Sequence, residues 1–527
     1  MNGNGTLPSC LLVIFGASGD LTKRKLVPAL YHLFLTDQLP AQFAVLGISR
    51  SKMSDEEFRE HLVEWARKNE HYSDEKWQDF ARRLHYHAGD STKGQDFDGI
   101  KSAICQVREK HQTGANVLYY LSLAPQLYES TIVNLGAHDM VTEGKAWCSI
   151  DRTTRSWQRI IIEKPFGSDP ESAAHLNRVL GRVFEEESIY RIDHYLGKET
   201  VQNLLVFRFA NTIFDPIWNR NFVDHVQVTA AETMGVEGRG GYYDSPSGGA
   251  MRDMIQSHLL QLMAVVAMEP PVTMSAAGIR TEKLKVLQAV RPVNVRELWR
   301  LAVRGQYGPG SVAGKAVPGY REEEGVGANS QTDTYAALEL YIDSWRWGGV
   351  PFYVRSGKRM ARKLTEIVVS FKKTPHRLFG TDGSFGESGG GGANPTVPNQ
   401  IVINVQPDEG IRLRFEGKVP GNPGGHPGGQ IPGGMNIKSV VMDFDYKKQF
   451  KAEPPEAYAT LLLDAIRGDQ TLFKHRDEIE VAWNIVQPVL DTWKASPTED
   501  LPNYAAGTWG PSEADVMMAR EGRLWHK

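Results

Sequence analysis

Short apolar runs bounded by turn residues mark the first part of the chain. Leu11–Phe15, Phe43–Ile48, Val117–Leu123 and Arg159–Glu163 are each of strand length and show little polar alternation. Unbroken runs of this kind suit a parallel sheet covered on both faces, whereas a half-exposed strand alternates. Between them, Met53–Asn69 and Asp74–Leu84 carry charged faces on a helical period and predict surface helices. The pattern then changes. Val201–Arg208, Val223–Ala230, Tyr335–Ile342, Pro351–Val354, Glu366–Phe371 and Ile401–Gln406 read as strands, which predicts a second, large and mainly antiparallel sheet. Met254–Met268 is apolar over a helical length, and Glu456–Trp493 is helical in pattern. Gly235–Tyr243 reads as a glycine loop, and Gly380–Pro398 and Gly417–Gly434 as mobile surface insertions between strands.

Composition narrows the class. A chain of 527 residues exceeds one simple core, so two domains are expected. With 41% hydrophobic and 23% charged residues it reads as soluble and globular. The net charge of −3 and the lack of a long basic run argue against nucleic acid or an anionic membrane as partner. Met1–Ser9 has no basic stretch, and Cys10–Phe15 is too short for a span or signal core. Three cysteines, Cys10, Cys105 and Cys148, lack metal-type spacing, so the expectation is reduced thiols in a cytoplasmic protein with no metal.

The first strand runs into Gly16-Ala17-Ser18-Gly19, then Asp20 and Leu21, with Leu26, Leu30 and Leu33 on helical spacing. Strand, glycine turn and helix start form an anion site: free amides and the helix dipole face a pyrophosphate that the glycines let approach. The full Gly-x-Gly-x-x-Gly fingerprint is not met, and a tight turn of any α/β protein is the plain alternative. After Phe43–Ile48, where an NAD enzyme carries an acidic residue, this chain carries Arg50 among Ser49, Ser51 and Lys52, which favours NADP. Lys25 is a second candidate for cofactor phosphate. Ser122–Pro125 and Glu163–Gly167 fall beyond strand ends, where open sheets bind ligands, and Lys164, followed by proline, can reach both cofactor and substrate.

The densest chemistry is Arg191-Ile192-Asp193-His194-Tyr195-Leu196-Gly197-Lys198-Glu199. Asp193 can accept from a sugar hydroxyl, while His194, Tyr195 and Lys198 offer donors and charge to a phosphate dianion. One helix would not put these four on one face, so a bend at Gly197 or a helix end is required; an ion-paired surface helix is the alternative. Glu232 precedes the glycine loop. Asp253 and His258 follow at the head of the apolar helix. An aspartate holding one imidazole N–H fixes the tautomer, raises the basicity of the other nitrogen and steadies the imidazolium. Residues five apart do not meet on a regular helix, so the pairing needs Asp253 at the helix mouth or a distorted first turn; a core histidine bonded to a carbonyl is the alternative. Arg355-Ser356-Gly357-Lys358-Arg359, with Arg362 and Lys363, is a cationic cluster after a strand, suited to phosphate or to a solvated turn.

Five ordered stretches resemble the glucose-6-phosphate 1-dehydrogenase family: Gly-Ala-Ser-Gly-Asp-Leu at 16–21, Glu-Lys-Pro-Phe-Gly at 163–167, the 191–199 segment, Arg-Asp-Met-Ile-Gln-Ser-His at 252–258 and Arg-Ser-Gly-Lys at 355–358. The resemblance extends to the segment around Trp509–Ala514. It implies an α/β Rossmann-type dinucleotide-binding domain, residues 1–192, and an α+β domain on a large, mainly antiparallel sheet, residues 193–527, for substrate binding and oligomerisation. It implies oxidation of D-glucose 6-phosphate at C1 to 6-phospho-D-glucono-1,5-lactone, the oxidative entry to the pentose phosphate pathway, with NADP⁺ taking the hydride. By matching position, His258 is the general base and Asp253 its orienting partner and a substrate contact. His194, Tyr195 and Lys198 hold the phosphate; Lys164, Asp193, Glu232, Lys358, Lys363 and Gln406 complete the sugar and phosphate contacts. Gly16, Ala17, Ser18, Gly19, Asp20, Leu21, Lys25, Arg50, Asp90, Ser91 and Lys164 face the cofactor. A homodimer or homotetramer is implied. The second, structural NADP⁺ of some relatives sits among cations of the large sheet; Arg355 and Arg414 keep that character here, while Val368, Asn404 and Leu364 replace cations. Two other readings predict different behaviour: a Glu-Lys-Pro sugar oxidoreductase using Lys164 for proton transfer, and a non-catalytic NADPH-binding protein needing neither His258 nor Asp253.

Overall fold

The computed structural model describes residues 7–141, 156–375, 398–420, 437–450 and 456–527. The chain condenses into two compact units, neither contiguous in sequence: one of residues 1–198, 269–285 and 455–487, the other of 199–268, 286–454 and 488–527. The first crossing falls after Lys198, six residues beyond the 192/193 boundary expected from the sequence. The returns at 269–285 and 455–487 are invisible to a two-part division because helical segments carry no mark of which sheet they cover.

The first unit holds a six-stranded parallel sheet. Its strands are β1 (Cys10–Phe15), β2 (Phe43–Ser49), β3 (Leu84–Ala88), β4 (Val117–Leu121), β5 (Gln158–Ile162) and β6 (Ile189–Arg191). The spatial order is β3-β2-β1-β4-β5-β6, so the winding reverses between β1 and β4, where such sheets bind ligands. β1 is buried throughout, as its unbroken apolar run requires. Two edge strands were not expected from the sequence. Leu-His-Tyr-His-Ala in β3 is too polar to read as a buried run, and Ile-Tyr-Arg in β6 is too short. Helix Asp55–Ala66 begins at Ser54, which closes a capping box with Glu57 and fixes the direction in which the chain leaves the β2 corner.

The second unit holds an eight-stranded sheet. Its strands are β7 (Val223–Ala231), β8 (Ala302–Gly305), β9 (Tyr335–Tyr341), β10 (Pro351–Gly357), β11 (Leu364–Phe371), β12 (Gln400–Gln406), β13 (Gly410–Lys418) and β14 (Ile437–Asp445). They lie in the order β14-β13-β12-β11-β7-β10-β9-β8, antiparallel except for the β7–β10 pair. The expected strand Val201–Arg208 is instead within helix Glu199–Phe209. Its buried residues Val201, Leu204, Leu205 and Arg208 keep the three-and-four spacing of a helix face, which outweighs the β-branched and aromatic content that suggested a strand. The expected glycine loop is two short helical turns, Glu237–Arg239 and Gly240–Tyr243. Residues 380–397 and 421–434 of the two glycine-rich insertions lie outside the described residues.

Candidate active site

In the first unit β1 passes into the glycine turn at Gly16, whose φ is +85°. A Cβ there would fall 2.0 Å from the Ser122 carbonyl oxygen beyond β4, so no other residue fits. Gly16 and Ala17 donate their N–H groups to Ile48 O at 2.8 and 3.2 Å, which fastens the turn to the end of β2. Ser18 and Gly19 follow half-buried, Asp20 is exposed and Leu21 leads into the wide first turn Thr22–Leu26 of the helical segment. Arg50 is the first residue past β2; it is exposed and makes no ion pair or side-chain hydrogen bond among the described residues. An open guanidinium next to a glycine turn at a switch point is the donor set that a dinucleotide with a 2′-phosphate requires, so these residues fit NADP⁺. Lys25 instead meets the carboxylate of Glu456. Asp90 is held below the usual carboxylate range by the Thr92 hydroxyl, which donates to it at 2.7 Å, with Lys93 and Arg50 adding positive charge. The buried Ser91 hydroxyl pairs with Thr131 at 2.9 Å, so Asp90 braces its own loop and Ser91 ties that loop to helix Tyr128–Ala137.

The 191–199 motif forms no single helix. Arg191 is buried and gripped by Glu186 at 2.6 Å and by Asn177 at 3.0 Å, and it anchors the loop without facing solvent. Asp193 then accepts the Tyr195 N–H at 3.0 Å, and tight turns follow at Leu196 and Lys198. The required bend is therefore built by Asp193 itself. Gly197 serves close approach: a Cβ would lie 3.2 Å from Ala457 Cβ and Leu461 Cγ. The His194 and Tyr195 rings pack tilted at 43° with centroids 4.8 Å apart, His194 and Lys198 being half-buried. Lys164 follows the buried Glu163, whose carboxyl is pushed up by burial against the hydroxyls of Tyr120 and Tyr458. Sequence reasoning missed Lys474, which lies buried 3.8 Å from Asp193 Oδ2; burial lowers its pKa, Asp193 raises it and Lys164 lowers it further. The run Lys474-His475-Arg476-Asp477 reads as a charged surface, so no sequence signal marks it.

In the second unit, topology gathers the remaining residues. Glu232 follows the end of β7 and Lys358 the end of β10, which runs parallel to it. Lys363 precedes the start of β11, and Gln406 ends β12, paired opposite Thr365. All four thus stand at one end of four adjacent strands. Lys358 Nζ reaches Glu232 Oε2 at 2.6 Å, and Gln406 Nε2 donates to Thr365 Oγ1 at 3.1 Å. The rest of the cationic cluster disperses. Arg355 is buried over the Trp525 ring at 4.0 Å and donates to His526 O at 3.0 Å, because strand alternation turns it away from Lys358. Arg359 is spent on Glu323 at 3.2 Å, and Arg362 lies over Trp509. Arg414 donates to Ser439 Oγ at 2.8 Å.

Asp253 and His258 lie on a π-helical turn, Met251–Leu259, which packs against β7, β9 and β10 before the regular helix Leu260–Ala267. The backbone of a π-turn bonds residue i+5 back to residue i, so residues five apart lie nearer one another around the axis than on a regular helix. The Leu260 N–H reaches Ile255 O, and Ser257 Oγ donates to Arg252 O at 3.0 Å, both across five residues. His258 is fully buried and Asp253 half-buried. Tyr243, also missed from sequence, is buried with Lys358 Nζ 5.0 Å from its ring centre, and its phenol is pushed up by burial and by Asp253, Asp333 and Glu232.

Asp333 starts the wide turn: its carboxylate accepts the Met251 N–H at 2.6 Å and its carbonyl the Ala250 N–H at 2.8 Å. Burial raises its pKa to about 6, against the Met251 N–H, Arg252 and Arg304, which lower it. The folded chain therefore holds this proton more tightly than the unfolded one, and the resulting stability is complete below about pH 4 and lost as pH rises through about 6. Asp333→Asn keeps an acceptor for Met251 without the charge. It is expected to gain on the wild type between about pH 4 and about pH 7, by on the order of 3 kcal/mol. Urea midpoints at the two pH values measure this, and a difference that does not move with pH would refute it.

Family models described as "Glucose-6-phosphate dehydrogenase, NAD binding domain" and "Glucose-6-phosphate dehydrogenase, C-terminal domain" match residues 13–203 and 205–526. The chain is 46% identical to a glucose-6-phosphate 1-dehydrogenase of Aggregatibacter actinomycetemcomitans over 98% of its length and 97% of the relative's. It is 42% identical to that of Chlamydia pneumoniae, over 100% and 97%. A solved glucose-6-phosphate dehydrogenase in complex with its substrate glucose-6-phosphate matches with a TM-score of 0.82 and 33% identity, covering 100% of both chains.

Proposed function

As the chain belongs to the glucose-6-phosphate dehydrogenase family, we propose how its own residues carry out the oxidation of D-glucose 6-phosphate at C1 to 6-phospho-D-glucono-1,5-lactone, the first step of the oxidative pentose phosphate pathway. His258 takes the C1 hydroxyl proton on its ring nitrogen. Asp253 holds the other ring nitrogen, which keeps the base in its accepting tautomer and steadies the imidazolium. His194, Tyr195 and Lys198 grip the phosphate. Lys164, Asp193, Glu232, Lys358, Lys363 and Gln406 order the sugar hydroxyls, so binding energy remote from C1 aligns the reacting bond. NADP⁺, when bound, supplies the acceptor for the C1 hydride. Gly16–Leu21 would hold its pyrophosphate and Arg50 its 2′-phosphate, with Lys164, Lys25, Asp90 and Ser91 beside it.

The observation that carries this reading is the π-turn, whose i-to-i+5 pairing suits an aspartate–histidine pair five residues apart. A homodimer or homotetramer fits the edge strand β14, where Val440, Val441 and Met442 are exposed. A cytoplasmic setting fits the free cysteines Cys10 and Cys105. Among the described residues no helix is long and apolar enough to cross a membrane.

Appearance of reduced nicotinamide, followed by its near-ultraviolet absorbance with glucose 6-phosphate and NADP⁺, tests the activity. NAD⁺ in parallel tests Arg50: a strong preference for NADP⁺ is expected, and equal kcat/KM for the two would remove that residue's assignment.

A further inference from the structure

The corner that carries Arg50 is exposed from residue 50 to 52, and the Arg50 side chain makes no hydrogen bond or ion pair among the described residues. Something else must keep its backbone in place. One phenol does so from the neighbouring strand. Tyr86 Oη donates to the Ser51 carbonyl oxygen at 2.5 Å and shares a 2.6 Å bond with Ser49 Oγ, so it clasps the residues on both sides of Arg50. Ser49 Oγ lies 3.0 Å from Ser18 Oγ, which joins the corner to the glycine turn.

Tyr86 is itself braced. Its N–H donates to Asp55 Oδ1 at 2.8 Å, and its ring packs on Phe58 with centroids 5.0 Å apart. Both partners belong to helix Asp55–Ala66, which leaves the same corner. Phe58 in turn lies over Gly47, where a Cβ would come within 2.7 Å of its ring, so β2 has no side chain in the way of this stack. The phenol is half-buried at a fixed height, with its hydroxyl at the carboxyl end of the sheet.

We propose that Tyr86 is a positioning residue for cofactor choice: it pre-orders the Ser49–Arg50–Ser51 corner for the 2′-phosphate of NADP⁺ and couples that corner to the pyrophosphate turn through Ser49 and Ser18. This rests on the assignment of Arg50 to the 2′-phosphate. NAD⁺ carries a hydroxyl at that place and draws nothing from an ordered guanidinium, so loosening the corner weakens NADP⁺ alone.

Calorimetric titration of the full-length protein with NADP⁺ and with NAD⁺ tests the proposal, with steady-state kinetics alongside. Tyr86→Phe keeps the ring on Phe58 and deletes the hydroxyl's bonds to Ser49 and Ser51. It is expected to raise the Kd and KM for NADP⁺ about five- to tenfold. The Kd for NAD⁺ and the KM for glucose 6-phosphate should stay within about twofold. Ser49→Ala, which cuts the link to Ser18, should act in the same direction. On an Arg50→Ala background Tyr86→Phe should have no further effect on NADP⁺, since the two act through one contact. If Arg50→Ala lowers NADP⁺ affinity but Tyr86→Phe does not, or if Tyr86→Phe weakens both dinucleotides equally, the role of Tyr86 is overturned. If Arg50→Ala leaves the preference for NADP⁺ intact, the Arg50 assignment fails first.

Discussion

Replacing His258 by asparagine is expected to lower kcat by about three to four powers of ten, within the range that general-base catalysis supplies. The side chain is fully buried on the π-turn, so asparagine, smaller and still polar, keeps the local packing better than alanine does. What it lacks is a nitrogen that can take a proton near neutral pH. The KM for glucose 6-phosphate should move less than about threefold, because a base that acts only as the proton leaves contributes little to ground-state binding. Asp253→Asn should cost about one to two powers of ten, less than His258→Asn, since the base remains and only its orientation and imidazolium support are lost. The competing oxidoreductase with Lys164 as proton acceptor makes the opposite forecast: Lys164→Ala abolishes turnover and His258→Asn spares it. Steady-state kinetics on the three variants separate the two. Turnover by His258→Asn within tenfold of the wild type would eliminate the imidazole as the base.

That prediction depends on a feature the sequence posed but did not resolve. From residue spacing alone, Asp253 and His258 were an awkward pair, five apart on an apolar helix. The residue types named the chemistry; the π-turn, which no apolar period announces, narrows the angle between residues five apart. Elsewhere legibility followed burial. β1, β2, β4 and the Ile160–Ile162 end of β5 were readable because strands covered on both faces carry unbroken apolar runs. β3 was hidden because its His85, Tyr86 and His87 are polar for reasons of their own: His85 Nδ1 meets Asp55 Oδ2 at 2.7 Å, and Tyr86 clasps the Arg50 corner. The cationic cluster at 355–363 looked like one site because the sequence does not show side. On a strand Arg355 and Lys358 project differently, and only the latter joins Glu232. Lys474 and Tyr243 could not be found, since each gains its meaning from partners far away in the chain.

The same limit applies to the buried ions around Asp193, where the second large effect is expected. Lys283 Nζ lies 3.3 Å from Glu478 Oε2, and neither side chain is more than 2% exposed. Glu478 Oε2 also accepts the His475 N–H at 3.3 Å, three residues back at the start of helix Arg476–Ala495. Lys474, beside Asp193, feels Glu478 as a favourable charge and both Lys283 and Lys164 as unfavourable ones. Glu478→Gln keeps the size and the cap but removes the anion that balances these ammonium groups. Its cost is expected to be about 3–5 kcal/mol, the usual penalty for leaving a buried charge without its counter-ion. The double variant Lys283→Met, Glu478→Leu removes both charges and should recover most of that loss, to within about 1–2 kcal/mol of the wild type. Urea denaturation followed by tryptophan fluorescence measures both. A single variant as stable as the wild type would show that the lysines find other anions. A double variant as weak as the single would assign the loss to packing or to the helix cap, not to charge. Because Asp193 and Lys164 share this charge field, the single variant should also raise the KM for glucose 6-phosphate severalfold, which ties the stability of these ions to the grip on the sugar.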